Sequence, residues 1–524
     1  MRFLVSLLTT ITLSSALLAE DRPNILFLFS DDHALRTIGA YEGSINQTPN
    51  LDRIAKEGAV FTRSFVVNSI CCPSRAAIMT AKHSHANGIT GNASHWNGNQ
   101  FVFTREMGKA GYETALIGKW HLHGNPTDEF KHWEILSGKG GQGSYYNPKF
   151  LSAKGETQVE GYSGNIITDK SLEWLENRDK SKPFLLCSQY KAPHIHRIPP
   201  IANMTGYDDM DFPEPNTLFD DFATRSPFVA DTWMALKGMK GHVLNIAPLQ
   251  SEIKANPDLM PPFLQEMTQP QRDAWHKHYD PRNREFRRLD KAGLLTGQAA
   301  VRYTYQRFIK DYVRCIDGLD HSVGRLLDYL DANGLAENTI VVYSSDQGFL
   351  TGEHGWAEKR WMYEESFRAP FLMRWPGKIA PGTEISALTQ NIDIGPTFMT
   401  AAGMEVPDEV HGVAMQPVLG GEVPADWRKD LLYQYFDGGT PENRGAYNMP
   451  RHEGVRDARY KLISFYDHDA WEFYDLDLDP RELSNRINDP KYQSEIERMK
   501  QRLVALKEQY DVGEHPPLPK GKRH

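Results

Sequence analysis

Three short runs of apolar residues predict strands that are buried on both faces, at residues 24–29, 183–187 and 339–343. Uninterrupted apolar runs are typical of parallel strands that have helices on both sides. Polar residues follow each run, and ligands of open α/β sheets bind beyond the carboxyl ends of the strands. The pattern therefore predicts an α/β fold with a binding site at that edge. The polar runs are SDDH (30–33), KAPH (191–194) and SSDQG (344–348).

Apolar residues spaced by three and four predict a long helix over residues 309–330 that covers the sheet and stops at Gly334. Thr48 and Pro49 are typical of a helix N-cap and first helical position. Residues 205–300 are rich in Pro, Asp and Arg and show weak periodicity. We expect them to form a long irregular insertion over one edge of the sheet.

Gly420, Gly421 and Pro424 predict a boundary between a catalytic domain, residues 20–424, and a small C-terminal α+β domain, residues 425–512. Within the smaller domain, alternating patterns predict three strands of an antiparallel sheet and one polar helix. We expect the strands at residues 431–436, 460–466 and 471–476, the helix at 492–510, and a disordered tail at 513–524.

The first 19 residues have the three parts of a secretory signal peptide. One Arg precedes an apolar run from residue 3 to 18, and small residues lie at Ala16 and Ala19. A short membrane anchor is the alternative, but about 16 uncharged residues are few for a span of roughly 20. We expect export to the periplasm or beyond the cell, with no membrane span in the mature chain.

Composition excludes several classes of protein. The chain has 59 Lys plus Arg against 68 Asp plus Glu, a net charge of -9, which argues against a polybasic nucleic-acid binder. Hydrophobic residues make up 40% of the 524 residues, enough for a large core. Four cysteines are too few for a disulfide scaffold, so any function of cysteine must belong to a specific thiol.

One such thiol lies in the segment CCPSR, residues 71–75, before the helix-favouring AAIM. Pro73 suits the start of a helix, so the segment predicts a cysteine at a helix N-terminus, where free amides attract negative charge. A buried structural cysteine is the alternative. Acidic side chains after the first and third strands form an all-oxygen group, which Ca²⁺ prefers and Zn²⁺ does not. This group contains Asp31, Asp32, Asp346 and Gln347.

Two motifs resemble signatures of the type I sulfatases. C-x-P-S-R matches residues 71–75, with Cys71 as its cysteine and Cys72 as its variable position, and GYETALIGKWH at 111–121 is similar to G-Y-x-T-x-x-x-G-K-W-H. The resemblance implies an alkaline-phosphatase-like fold: a large mixed, mostly parallel sheet with helices on both faces, and a small C-terminal domain. It also implies that a maturation enzyme oxidises Cys71 to formylglycine, whose hydrated aldehyde is the nucleophile.

The resemblance also implies roles for individual residues. Lys119 would contact the sulfate and the nucleophile, and His121 would be a base that helps to release sulfate. His194 is the candidate proton donor to the leaving alcohol, with Lys359 as the competing assignment. Family members commonly have Asn where this chain has Gln347. The implied catalytic set is Cys71, Arg75, Lys119, His121, His194 and Lys359, and the implied calcium ligands are Asp31, Asp32, Cys71 as formylglycine, Asp346 and Gln347.

The segments YKAPH, SDQGFLTGEHGW and KRWMYEES are similar to those of bacterial sulfatases that act on glycosaminoglycans and marine polysaccharides. We therefore expect a sulfated carbohydrate as substrate. His123, Arg451 and His452 are candidates for contacts with it, although the segment around Arg451 could equally be a surface hairpin. Two other functions stay open: a formylglycine-dependent phosphonate monoester or phosphodiester hydrolase, and a non-catalytic glycan-binding protein with unmodified Cys71.

Overall fold

The computed structural model describes residues 22–230, 232, 235–239, 244–438 and 449–515. The predicted signal peptide at residues 1–19 and residues 516–524 of the predicted tail lie outside the described residues. No helix in the described part of the chain has the length and apolar character that crossing a membrane requires.

Sixteen strands are present in the described residues. In chain order they are β1 (Asn24–Ser30), β2 (Ala59–Phe61), β3 (Ser64–Phe65), β4 (Glu113–Gly118), β5 (His132–Leu136), β6 (Lys149–Ser152), β7 (Gly155–Gln158), β8 (Phe184–Gln189), β9 (Thr339–Ser345), β10 (Phe371–Arg374), β11 (Thr383–Ile385), β12 (Thr389–Gln390), β13 (Asp430–Tyr435), β14 (His452–Asp457), β15 (Tyr460–Phe465) and β16 (Ala470–Asp475).

Ten of these strands form one mixed sheet in the order β11-β2-β10-β9-β1-β8-β4-β5-β6-β7. The five central strands, β9 to β5 in this order, are parallel. The three predicted apolar runs are β1, β8 and β9, which lie side by side in the middle of the sheet. Their carboxyl ends consequently meet at one edge, as the sequence predicted.

The described residues contain twelve α-helices. They are α1 (Pro49–Lys56), α2 (Cys71–Thr80), α3 (Ser84–Asn87), α4 (Phe103–Lys109), α5 (Ser163–Asn177), α6 (Gln250–Ala255), α7 (Pro262–Gln265), α8 (Gln269–Lys291), α9 (Gly297–Ala332), α10 (Glu364–Phe367), α11 (Ile394–Ala401) and α12 (Gln493–Gln509).

Alternate residues of β1 divide the core into two layers. Phe27 packs in a cluster with residues of α2, α4 and α11, and its neighbour Leu28 packs in a second cluster with residues of α1, α5 and α9. Side chains alternate across a strand, so one apolar run supplies both layers. The predicted fold class, a mostly parallel sheet with helices on both faces, is confirmed.

The segment 205–300 is not irregular throughout, contrary to the prediction. Residues 269–291 form α8, which begins with a capping box between Thr268 and Gln271 and buries Trp275 and Tyr279 on one face. The capping pair and the i, i+4 aromatic spacing were present in the sequence. Many charged residues on the exposed face of α8 masked this apolar face.

The small C-terminal sheet is antiparallel, in the order β13-β14-β15-β16, and α12 packs on one of its faces. The three predicted strands and the polar helix are present. The sequence analysis missed the strand β14, which carries polar residues at 452, 453, 456 and 457 and lacks a clear alternating pattern. The other face of the sheet packs against the segment around Trp361 and Phe367.

Candidate active site

Two pairs of polar residues meet at the carboxyl ends of the central strands. Asp31 and Asp32 follow β1, Asp346 and Gln347 follow β9, and these parallel strands pair up to their last residues. The backbone N–H of Asp32 donates a hydrogen bond to Asp346 Oδ1 at 3.2 Å. Asp32 has a φ of 65°, an uncommon left-handed conformation that often marks functional sites. Three buried carboxylates are therefore crowded into one place.

Cys71 is the first residue of α2 and faces these carboxylates. Its Sγ lies 3.5 Å from Asp31 Oδ1 and 3.8 Å from Gln347 Nε2. Ligand atoms of Cys71, Asp31, Asp32 and Asp346 all lie within 4.8 Å of one another. Burial raises the pKa of the Cys71 thiol to about 12. The unmodified thiol therefore stays protonated at neutral pH and is a poor nucleophile.

Arg75, one turn further along α2, forms hydrogen bonds to three parts of the site. Its guanidinium donates to Asp346 Oδ2 at 3.1 Å, to Gln189 Oε1 at 2.8 Å and to the carbonyl of Lys119 at 2.9 Å. A fourth, longer contact reaches Asp31 Oδ2 at 3.4 Å. The planar guanidinium group of Arg presents five N–H donors in a fixed geometry, whereas an ammonium group presents three from a single atom.

Two lysines form ion pairs with the carboxylates of Asp31 and Asp32. Lys119 Nζ pairs with Asp31, and Lys359 Nζ contacts both oxygens of Asp32 at 2.6 and 2.7 Å. Burial lowers the pKa of Lys119 well below its ordinary value. Burial acts in the same direction on Lys359, but the charge of Asp32, together with those of Glu358 and other neighbouring groups, outweighs it and raises the pKa of Lys359.

Both predicted histidines lie at the same edge of the sheet. His121 contacts the side-chain amide of Gln142 at 2.7 Å, and burial together with the neighbouring cations lowers the pKa of His121. His194 Nδ1 lies 2.8 Å from the carbonyl of Ile195, and its Nε2 lies 3.8 Å from Asp32 Oδ2. The Nδ1–H donates to that carbonyl, which leaves the Nε2 atom facing the carboxylates.

The structure adds two residues that the sequence analysis missed. Gln189, the last residue of β8, accepts from Arg75. Gln142 belongs to the glycine-rich segment GKGGQG, residues 138–143. The neighbouring Gly141 lies against His121 and has a φ of 84°, a left-handed conformation that favours glycine. No sequence signal linked either glutamine to the site.

The three candidate sugar contacts fall in different places. His123 is partly exposed beside the site, and its Nε2 contacts the carbonyl of Asn92 at 2.7 Å. Arg451 forms a bidentate ion pair with Asp467, at 2.7 Å for each hydrogen bond. His452 is fully buried among aromatic rings that include Trp361 and Phe465. The geometry therefore does not support a sugar contact for His452, and Arg451 lies outside the carboxylate cluster.

The donor set fits a hard divalent cation. Three carboxylates converge beside Cys71, and a second group of possible ligand atoms joins Asp31, Cys71 and His194. The carboxylate oxygens favour a hard cation, and the raised pKa of the buried thiol disfavours a thiolate ligand for a softer metal. Gln347 Oε1 is buried and has no hydrogen-bond partner among the described residues. A buried amide oxygen without a partner is costly, and a cation would satisfy it. The residues that could hold such an ion are Asp31, Asp32, Asp346 and Gln347.

Comparison with known proteins identifies the family to which this site belongs. The family model Sulfatase matches residues 23–404, and the model N-sulphoglucosamine sulphohydrolase, C-terminal, matches residues 352–509. The chain belongs to the sulfatase family. This sulfatase hydrolyses sulfate esters.

Two of the matches extend over nearly the whole chain of this sulfatase. An N-acetylglucosamine-6-O-sulfatase from Bacteroides thetaiotaomicron is 41% identical over 494 residues, which are 93% of this chain and 87% of that protein. A structure solved in complex with its substrate D-glucosamine-2-N,6-O-disulfate is 40% identical with a TM-score of 0.90, covering 95% of this chain and 100% of the other.

A phosphonate monoester hydrolase from Silicibacter pomeroyi shares the fold. It is 20% identical to this sulfatase, with a TM-score of 0.66, and the match covers 93% of this chain and 96% of that protein. Because identity is this low, the likeness concerns the arrangement of strands and helices and carries no information about activity.

Arg75→Lys tests whether the hydrogen bonds of the guanidinium group hold α2 to the strands. The substitution keeps the positive charge but removes the guanidinium group, so it should lower the free energy of unfolding by about 3 kcal/mol. Thermal unfolding followed by circular dichroism measures this loss. Arg498→Lys is the matched control, since Arg498 is largely exposed and pairs with Asp457 and Glu495. It should cost less than about 0.5 kcal/mol. Equal thermal midpoints for the two variants would contradict the role of Arg75.

Proposed function

We propose that this sulfatase removes the 6-O-sulfate of a glucosamine unit in a sulfated carbohydrate. The observation that carries the proposal is the match, at 40% identity and a TM-score of 0.90, to the structure solved with D-glucosamine-2-N,6-O-disulfate. The 41% identical N-acetylglucosamine-6-O-sulfatase supports the same position of the ester. The buried, cation-lined cluster supplies the charges that such an ester needs.

The nucleophile is formylglycine at position 71, made from Cys71 by a maturation enzyme. Support comes from the C-x-P-S-R register and from the raised pKa of the buried thiol, which makes the cysteine itself unsuitable. In its hydrated form, formylglycine supplies one hydroxyl that attacks sulfur and a second whose deprotonation releases sulfate. Position 71 is the first residue of α2, where the helix dipole favours negative charge.

Lys119, Lys359 and Arg75 hold positive charge beside the reacting group. Negative charge develops on the sulfate oxygens and on the leaving oxygen during the transfer, and preplaced donors stabilise it at no cost of reorganisation. By analogy with oxyanion-hole donors, each such group contributes roughly 10²- to 10³-fold in rate. Lys119 and Lys359 pair with Asp31 and Asp32, which positions both ammonium groups.

The two histidines carry the protons. Burial lowers the pKa of His121, so its ring is neutral at pH 7 and accepts the proton whose removal releases sulfate. His194 presents Nε2 toward Asp32, and it donates to the leaving alcohol in its doubly protonated form, in which Nε2 also carries a proton. Burial is the main cause that lowers the pKa of His194, and the positive charge of Lys119 lowers it further. The negative charge of a bound ester acts against Lys119 and raises the pKa of His194. Lys359, which contacts the same carboxylate, is the competing donor.

Asp31, Asp32, Asp346 and Gln347 bind Ca²⁺ in this proposal. Their all-oxygen donor set and the buried Oε1 of Gln347 support it. When bound, calcium neutralises the carboxylates and attracts an oxygen of the sulfate. Gln347 keeps the amide oxygen of the family's Asn on a longer side chain.

The proposed compartment is the periplasm or the medium outside the cell. The apolar run in residues 3–18 and the small residues Ala16 and Ala19 support cleavage of a signal peptide. N-terminal sequencing of the exported protein should begin at or near Glu20. A mature chain that still begins at Met1 would contradict the proposed export.

Activity on a matched pair of substrates tests the reaction. The wild-type protein should release sulfate from 6-O-sulfated N-acetylglucosamine and act at least about 100-fold more slowly on an aryl phosphate diester. Cys71→Ala should lose roughly 10⁴-fold or more in kcat because the nucleophile is gone. Ion chromatography of released sulfate and the rate of aryl release measure the two reactions. Preference for the diester would indicate a phosphodiester hydrolase instead.

Cys72→Ala is the matched control for Cys71→Ala. Cys72 is equally buried and adjacent but occupies the variable motif position, so this variant should keep wild-type turnover. Mass spectrometry of the peptide containing residue 71 should show a loss of about 18 Da in the wild type and in Cys72→Ala. An unshifted peptide together with binding of sulfated saccharide would indicate a non-catalytic glycan-binding protein.

Calcium should stabilise the chelator-treated protein. At about 100 times its Kd, a ligand of the folded state adds about 2.7 kcal/mol, which thermal unfolding detects as a higher midpoint. Asp346→Asn should abolish this calcium-dependent shift. Asp393→Asn is the matched control, because Asp393 is also buried and paired with an arginine, Arg428, away from the site. It should keep the shift. No shift in the wild type would contradict the calcium site.

A further inference from the structure

Two chain segments that carry candidate catalytic groups run side by side. The first, residues 64–70, leads into Cys71, and the second, residues 359–369, begins with Lys359. They are joined by hydrogen bonds from Ala369 N to Ser64 O at 3.0 Å and from Val66 N to Phe367 O at 3.1 Å. The hydroxyl of Ser69 donates to Ser366 O at 3.1 Å. The distance between the nucleophile and Lys359 therefore depends on how these segments pair.

The C-terminal sheet lies against both segments through its strand β13. Gln434 N donates to Val67 O at 3.0 Å. The neighbouring Tyr433 is fully buried, and its hydroxyl donates to Arg360 O at 2.6 Å and accepts a longer contact from Ser69 N at 3.4 Å. One hydroxyl thus reaches the residue directly after Lys359 and the residue two positions before Cys71.

We propose that Tyr433 is a positioning residue for the sulfatase reaction. Its hydroxyl holds the backbone before Cys71 in register with the backbone after Lys359, and it touches neither substrate nor the reacting atoms. The inference rests on the proposed function, because it assumes that formylglycine at position 71 and Lys359 act on the same sulfate ester. It also assigns the C-terminal domain a direct part in forming the active site.

The chemistry of a tyrosine hydroxyl suits this role. It donates one hydrogen bond and accepts others, so it serves a carbonyl and an amide at once. Burial raises the pKa of Tyr433, which keeps the hydroxyl proton in place as the donor to Arg360 O. The ring is held separately, edge-on to Phe367 with centroids 5.0 Å apart and stacked on His452 at 5.5 Å.

Other side chains of the C-terminal sheet contact these segments in different ways. Lys461 Nζ donates to Met362 O at 2.6 Å and pairs with Glu364 at 2.8 Å, both in the lysine-bearing segment. Arg456 pairs with Glu364 and lies over the ring of Phe65 at 4.8 Å, so it spans both segments through side chains. Tyr433 differs from these two residues because its hydroxyl bonds to the backbone of both segments.

Tyr433→Phe removes the hydroxyl and keeps the ring. Because displacements of about 1 Å can cost 10²-fold in rate, kcat should fall about 10- to 100-fold. KM should stay within about threefold, since the side chains proposed to bind the sulfate remain. The kinetics use 6-O-sulfated N-acetylglucosamine, with kcat corrected for the fraction of formylglycine measured by mass spectrometry. A purely structural role would lower the thermal midpoint and leave the corrected kcat unchanged.

Tyr41→Phe is the matched control. Its buried hydroxyl also accepts from a backbone amide, Phe371 N at 2.7 Å, and donates to backbone carbonyls, but it contacts neither segment. It should lower the thermal midpoint by a similar amount and keep the wild-type kcat. Equal kcat for Tyr433→Phe and the wild type, or equal losses in the two tyrosine variants, would overturn the proposal.

Ser69→Ala provides a second test within the first segment. It removes the hydroxyl bond to Ser366 and leaves the C-terminal sheet untouched. It should also lower kcat at nearly constant KM, by a smaller factor of about 3 to 10. If Tyr433→Phe does not fold, an unchanged kcat in Ser69→Ala overturns the proposal. Failure of the proposed function is distinguishable, because the wild type itself would then release no sulfate.

Discussion

The structure depends on a balance of buried charge at the carboxyl ends of β1 and β9. Three carboxylates, Asp31, Asp32 and Asp346, lie together out of water, where unpaired charges are very costly. Arg75 and two lysines compensate them through direct contacts. The same cations stay close to the position of the nucleophile. One arrangement therefore stabilises the site and provides the positive charge that a sulfate ester requires.

Each cation comes from a different part of the chain, and two of the three sheets in the described residues lie next to the segments that carry them. Arg75 is on a helix that covers the main sheet, Lys119 follows β4, and Lys359 lies in a segment that the C-terminal sheet contacts. The main sheet aligns the carboxylates through parallel pairing. The C-terminal sheet packs against the segment that follows Lys359, so elements of both sheets border the cluster.

Much of the fold and of the candidate site was predictable because it rests on local patterns. Apolar runs located the three central strands, and polar residues at their ends located Asp31 and Asp346. The spacing of the motif C-x-P-S-R identified Cys71, and not Cys72, as the cysteine of that motif. Other features were harder to predict. Charged residues masked the local signal of α8, and no local signal links Gln142 to its partner His121 across a glycine-rich turn. Such contacts join residues far apart along the chain, so periodicity does not reveal them.

By itself, the sequence determined the fold class, the central strands and the identities of the groups at their ends, because side-chain alternation and motif spacing act over a few residues. Only the tertiary structure decided which groups share a contact. It placed Tyr433 between the segments that carry Cys71 and Lys359, and it buried His452 where no sugar reaches. The physical reason is that packing of distant segments, together with the need to pair buried donors and acceptors, sets distances that no single segment encodes.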